Sequence, residues 1–222
     1  MRPARFSAPM KPRIRTLLLG LVLAGLFAGP ARGQAIRNHF ESDSIGRPPA
    51  FFDFVVLGAP GPAAWRVTGG HNPPSAPNFA AQILAERPND SIAAALRRNA
   101  NYQDGTWSIA LMNEGGQGGI VFRMVDEKNF LVLLVDVAGG DATLASFRNG
   151  TRQELAKGKA AIVNEWGFLK ITAKGPKISA TWDSKPLLEA TDPAPAAGRA
   201  GMATAGHAIT SFDEFVLEPA AK

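Results

Sequence analysis

The sequence predicts an all-β sandwich, on three observations. After residue 33 no stretch sustains helical periodicity. Short runs of alternating or β-branched residues recur instead, and Gly, Pro, Asn and Asp separate them at short intervals. The chain of 222 residues leaves 189 from Gln34 onward, enough for one sandwich core. It contains no cysteine, so that core has neither disulfides nor a thiolate metal site to help it.

In chain order the pattern predicts strands at 39–44, 51–57, 65–67, 79–85, 91–98, 106–112, 118–125, 129–137, 142–148, 151–156, 166–173, 176–182, 186–190, 200–204 and 211–217. The run Ile92-Ala-Ala-Ala-Leu-Arg-Arg98 is the most helix-like, since alanine favours helix. It is short and flanked by strands, so it is read as a strand. Asn149-Gly150 joins 142–148 to 151–156, and both residues tolerate the positive φ of a type I′ hairpin turn. Asn149-Gly150-Thr151 and Asn89-Asp90-Ser91 are also sequons, read here as turn chemistry. Asp126-Glu127-Lys128-Asn129 joins a second hairpin. Gly58–Pro62, Gly69–Pro77 and Pro193–Gly201 are loops.

Residues 1–33 read as an export signal. Arg2, Arg5, Lys11, Arg13 and Arg15 precede an apolar run from Leu17 to Ala28, with Ala31 and Gly33 at −3 and −1 of a cleavage point before Gln34. Met10 remains open as an alternative start. The apolar run is well short of the roughly 20 residues that span a bilayer, so a membrane anchor is the weaker reading. The basic excess of the whole chain belongs to this segment. Residues 34–222 carry 18 basic and 19 acidic side chains, a balance that excludes an electrostatic case for nucleic acid or an anionic membrane. The expected location is periplasmic or secreted, with no membrane insertion after cleavage.

Strand alternation sorts the second hairpin into faces. Ile120, Phe122 and Met124 fall on one side, Val121 and Arg123 on the other. Leu131, Leu133 and Val135 oppose Phe130, Val132, Leu134 and Asp136. Arg123 and Asp136 are therefore expected on one face of adjacent strands, as a sugar-binding pair or as a structural ion pair.

The segments His39-Phe-Glu-Ser-Asp-Ser-Ile-Gly46, Trp65-Arg-Val, Ser75-Ala-Pro-Asn-Phe-Ala-Ala-Gln82, Gly118-Gly-Ile-Val-Phe-Arg123, Asp126-Glu-Lys-Asn-Phe130, Asn164-Glu-Trp166, Trp182-Asp-Ser-Lys-Pro and Phe212-Asp-Glu-Phe215 resemble exported bacterial concanavalin A-like domains. These include laminin-G-like modules, laminarinase-type hydrolases and 3-keto-disaccharide hydrolase domains. The resemblance implies a jelly roll of two curved antiparallel sheets, with a concave face that often binds carbohydrate. Laminarinase-type enzymes carry Glu-x-Asp-x-Glu, which here stops at Glu41-Ser42-Asp43; the closing Glu is missing, and double displacement needs it. The likeness to 3-keto-disaccharide hydrolases rests on the β pattern and the Gly-Ile-x-Phe-Arg strand, and the strand Phe130–Val135 lacks their acidic residue.

The expected ligand-binding residues are Arg123, Phe130, Asp136 and Trp65. Trp65, Trp107, Trp166 and Trp182 offer sugar-stacking faces or plain core, and Tyr102 is a weaker candidate beside Asn101 and Asp104. His39, His71 and His207 have no metal-ligand spacing, so no metal site is expected. No cofactor is expected; a calcium ion at Asp126, Asn129 and Asp213 stays open against the preferred reading of these as solvated turn residues. Gly115-Gly-Gln-Gly-Gly119 opens no helix and reads as a hairpin connection. Three function classes follow. The leading one is an exported, non-catalytic carbohydrate-recognising sandwich. The others are a glycoside-active enzyme, of the glycoside or 3-keto-glycoside hydrolase type, and a structural envelope protein.

Overall fold

The computed structural model describes residues 34–162 and 165–220, together with Met1. The export signal otherwise lies outside the described residues, as does Asn164. The strands are β1 (Ile36–Asn38), β2 (Phe52–Gly58), β3 (Trp65–Gly69), β4 (Asn78–Gln82), β5 (Ser91–Tyr102), β6 (Gly105–Glu114), β7 (Gln117–Asp126), β8 (Asn129–Val135), β9 (Asp141–Arg148), β10 (Thr151–Lys159), β11 (Gly167–Lys174), β12 (Lys177–Trp182), β13 (Lys185–Thr191), β14 (Gly198–Ala205) and β15 (Ile209–Pro219). They form two antiparallel sheets. One has eight strands in the order β13-β12-β11-β6-β15-β4-β3, with β1 also on β15; the other has seven, β10-β9-β8-β7-β14-β5-β2.

The main core fills the space between the sheets. Phe52, Ala93, Ile120, Phe122, Leu131, Leu133 and Met202 of the seven-stranded sheet meet Trp107, Ile109, Leu169, Ile171, Phe212 and Phe215 of the other. Strict alternation along β11, buried at every second residue, is what a sheet with one covered face requires. A second apolar cluster lies on the other face of the seven-stranded sheet, formed by residues such as Ile92, Leu96, Val121, Met124, Phe130 and Val132. That face is apolar, as the hairpin pattern indicated.

Most expected strands form, including 92–98 within β5, where the pairing to β2 and β14 overrides alanine's helical preference. The Asn149-Gly150 turn closes Arg148 onto Thr151 with φ of 51° and 83°. The first expected strand is corrected. Residues 39–44 turn instead: Phe40 has φ 63°, its carbonyl accepts from Asp43 N–H, and the Asp43 carboxylate accepts from Ala50 N–H. The Ser-Asp-Ser-Ile-Gly run supplies turn chemistry, and the strand lies earlier, at Ile36–Asn38 against Phe215–Leu217.

Candidate functional site

The site is built by an irregularity in β7. Its ladder with β8 runs regularly to Phe122–Leu131, then jumps to Asp126–Asn129. Arg123 sits at the break with φ 49°, a left-handed conformation uncommon for a long side chain. The bulge reverses the alternation. Phe122 faces the inter-sheet core, whereas Met124, expected beside it, joins the outer cluster with Phe130 and Leu96.

Burial of Arg123 accounts for the bulge. Its side chain is 0% exposed and its guanidinium is tied on three sides. Nε donates to Gln103 O at 2.7 Å, and one terminal nitrogen donates to Asp192 Oδ2 at 3.0 Å. The other donates to Gly175 O at 2.7 Å and Asp104 Oδ1 at 3.2 Å. Asp192 is equally buried, and its second oxygen accepts from Arg148 at 2.8 Å and from Ala194 N–H. A buried charge so fully partnered is a structural device.

Displaced Met124, together with Val55 and Leu96, lines a groove of about 510 Å³. Val125, Asp126, Glu127, Lys128 and Arg199 complete its lining. Arg199 pairs across the ladder with Met124 and donates to Asp53 at 2.6 Å, while Arg98 Nε donates to the other Asp53 oxygen at 2.7 Å. The Arg98 and Arg199 hydrogen bonds hold the Asp53 carboxyl below its ordinary pKa. Asp126 is held low by Lys128 N–H and the Asn129 side chain. Both stay ionised at neutral pH, so they can accept hydrogen bonds from hydroxyl groups. Neither is shifted in the direction a general acid needs. An apolar floor with a charged, hydrogen-bonding rim is suited to a ring that has one apolar face and hydroxyls at its edge.

The four residues expected from the sequence do not converge on this groove. Phe130 lies on the outer face, 1% exposed, stacked on Phe147 at 4.3 Å between ring centroids. Trp65 is 5% exposed and faces the main core, between Phe212 and Phe54. Arg123 and Asp136 do not pair, because the ladder sets Gly118 against Val135 and Phe122 against Leu131, which puts the two residues at opposite ends of the hairpin, and the bulge also turns Arg123 off the shared face. Asp136 instead closes the turn after β8, accepting from Ala138 N–H at 3.1 Å and Gly139 N–H at 2.9 Å.

The remaining candidates are spread over the fold. Trp107 and Trp182 are core, and Trp166 Nε1 donates to His71 O. Tyr102 packs against the main core. His39 faces Glu214 at 3.2 Å. Asp126 and Asn129 share one turn in the seven-stranded sheet, while Asp213 belongs to β15 in the other, so the three calcium candidates are separated. Asp213 is buried and accepts from Ser75 N–H and Oγ at 2.7–2.9 Å; burial pushes its pKa up. Sequence reasoning missed Val55, Leu96 and Arg199. Their convergence depends on the β2-β5-β14-β7 order, which no local pattern encodes; the charge of Arg199 just before the small, apolar run Ala200–Ala203 was a signal.

No protein-family model matches the chain, and no curated protein matches it, whereas solved structures do. A carbohydrate-binding module, CBM66, from Bacillus subtilis superposes with a TM-score of 0.53 at 22% identity, over 69% of this chain and 94% of its own. A Bacillus subtilis protein of unknown function with a galectin-like fold gives 0.58 at 12%, over 87% and 99%. A Bacillus licheniformis β-glucanase gives 0.53 at 10%, over 85% and 99%. At such identities the likeness shows the fold: an all-β, concanavalin A-like jelly roll of two antiparallel sheets.

Proposed function

We propose that this protein recognises carbohydrate, through the groove bounded by Met124, Arg199 and the Asp126–Lys128 turn. The observation that carries this reading is the combination in one groove of the apolar side chains of Val55, Leu96, Met124 and Val125 with the charged side chains of Asp126, Lys128 and Arg199. Sugar sites mix the two, because a pyranose or furanose ring offers C–H groups on one face and hydroxyls around its rim. The carbohydrate-binding module among the structural neighbours supports the reading through the fold it shares. The role is binding without turnover: Glu41 is engaged by Asn78 N–H, Asp43 caps a turn, and the Asp126 carboxylate of the groove is held below its ordinary pKa. The setting is periplasmic or extracellular, as the signal-like residues 1–33 indicate.

The test is a glycan array on the purified protein, followed by calorimetry on each hit and assay of reducing-sugar release. Binding that weakens in Arg199→Ala, without sugar release, supports the proposal. Binding that survives substitution of Arg199 and Lys128 together would move the site elsewhere, and release of reducing sugar would make the protein an enzyme.

A further inference from the structure

At the end of the sandwich that holds Arg87, the interior between the sheets turns polar. In β4 and β15, Gln82 and Thr210 occupy inward positions one alternation beyond core residues Ala80 and Phe212, and they face each other in the ladder. In β5 and β14, Ser91 and Thr204 stand in the same relation to Ala93 and Met202. Trp65 is the ladder partner of Gln82 on its other side. Arg87, in the β4–β5 connection and only 2% exposed, reaches over this end and donates to Leu84 O at 2.8 Å, Thr204 Oγ1 at 3.2 Å and Ala208 O at 3.3 Å.

Two features are unusual. Gln82 Nε2 and Oε1, Arg87 Nε, Ser91 Oγ and Trp65 Nε1 are all buried without a hydrogen-bond partner. Buried polar groups are normally partnered, so a set of orphans within one region of an interior points to a missing partner shared among them. The guanidinium of Arg87 also forms no ion pair among the described residues, whereas buried Arg123 has two. Burial of an uncompensated charge is costly. The orphaned atoms are mainly donors: a guanidinium N–H, an amide NH2, a hydroxyl and an indole N–H.

We propose that this end of the sandwich is a binding site for a small monovalent anion of the halide type, held by Arg87, Gln82, Ser91 and Trp65. The anion balances the guanidinium charge and gives the orphaned donors an acceptor. Water would satisfy the donors and leave the charge uncompensated. The site lies between the sheets, whereas the proposed sugar groove is on the outer face of one of them, so the two proposals stand or fall separately.

Crystals of the purified protein grown or soaked in sodium bromide test this directly by anomalous diffraction. A bromide peak between the Arg87 and Gln82 side chains is the expected result; ordered water there, with no anomalous signal, overturns the proposal. In solution, replacing gluconate with chloride at fixed ionic strength is expected to raise Tm by about 2–4 °C with saturation, and Arg87→Met to abolish the rise. A bromide peak that persists in Arg87→Met would equally overturn the assignment to this guanidinium. Should that variant not fold, the wild-type bromide map decides alone.

Discussion

Arg123 and Asp192 meet at 3.0 Å with both side chains wholly out of solvent, and they come from segments 69 residues apart. Asp192 follows the last strand of one edge, β13, while Arg123 interrupts a strand near the middle of the other sheet. The pair therefore fastens the sheets together where the bulge bends β7. Asp192→Ala is expected to cost roughly 3–5 kcal/mol, because it strands a buried guanidinium. Asp104→Ala, whose carboxylate is partly exposed, is expected to cost distinctly less. Urea denaturation of the two variants measures the difference; equal losses would show that burial of the pair is not the cause.

Arg199→Ala separates binding from stability. Its ion pair with Asp53 is solvent-exposed, so its loss is expected to change the melting temperature little. A hydrogen bond from its charged group to a sugar is worth about 1.5–3 kcal/mol, so affinity is expected to fall roughly 10- to 100-fold. Calorimetry together with a melting curve checks both halves.

Asp53 and Asp213 are expected to act in opposite directions in acid. The folded state holds Asp53 below its ordinary pKa. Its contribution is complete above the unfolded value near ~4 and is lost as pH falls through the lower folded value. Asp53→Asn should therefore flatten the acid limb of a Tm-against-pH curve. An unchanged limb would mean that the two arginines do not act on this carboxylate.

For Asp213, burial raises the folded-state pKa. Its contribution is complete below the unfolded value and is lost as pH rises through the folded one. Relative to Asp213→Asn, which keeps an acceptor for Ser75 N–H, the wild type should lose stability as pH rises above the unfolded value of about 4. Paired denaturation curves across that range give the sign. A gap that instead moves in favour of the wild type would show that the Ser75 bonds outweigh burial.

Much of the fold was legible, because alternation and turn residues are local. The Asn149-Gly150 hairpin, the apolar runs of β7 and β8, and β5 despite its alanines all follow from short stretches. The site was not, because one residue altered the register. Gly118 to Met124 reads as an unbroken strand, and nothing in it signals a left-handed arginine. What holds Arg123 there is Asp192, immediately before the Pro193–Gly201 stretch that reads as a loop. The first strand was misplaced for a related reason: β1 exists only by pairing with residues some 180 positions later. Trp65 was a correct reading of a large aromatic but a poor guide to a surface, since Phe54 stacks over it and is the exposed ring, at 40%.

The strand order also constrains when the molecule can fold. β14 lies between β5 and β7 in one sheet, and β15 between β4 and β6 in the other. Each sheet thus receives an interior strand from the last two strands of the chain. Until residues 198–219 emerge, β5 lacks its partner toward β7, β4 lacks its partner toward β6, and the hydrophobic faces on either side have no continuous surface to close upon. Low-separation hairpins such as β9–β10 can form early, but cooperative closure waits for β14 and β15. Truncation before β15 should therefore divide the eight-stranded sheet between β6 and β4, and a ribosome-bound chain should stay open until β15 has cleared the exit tunnel.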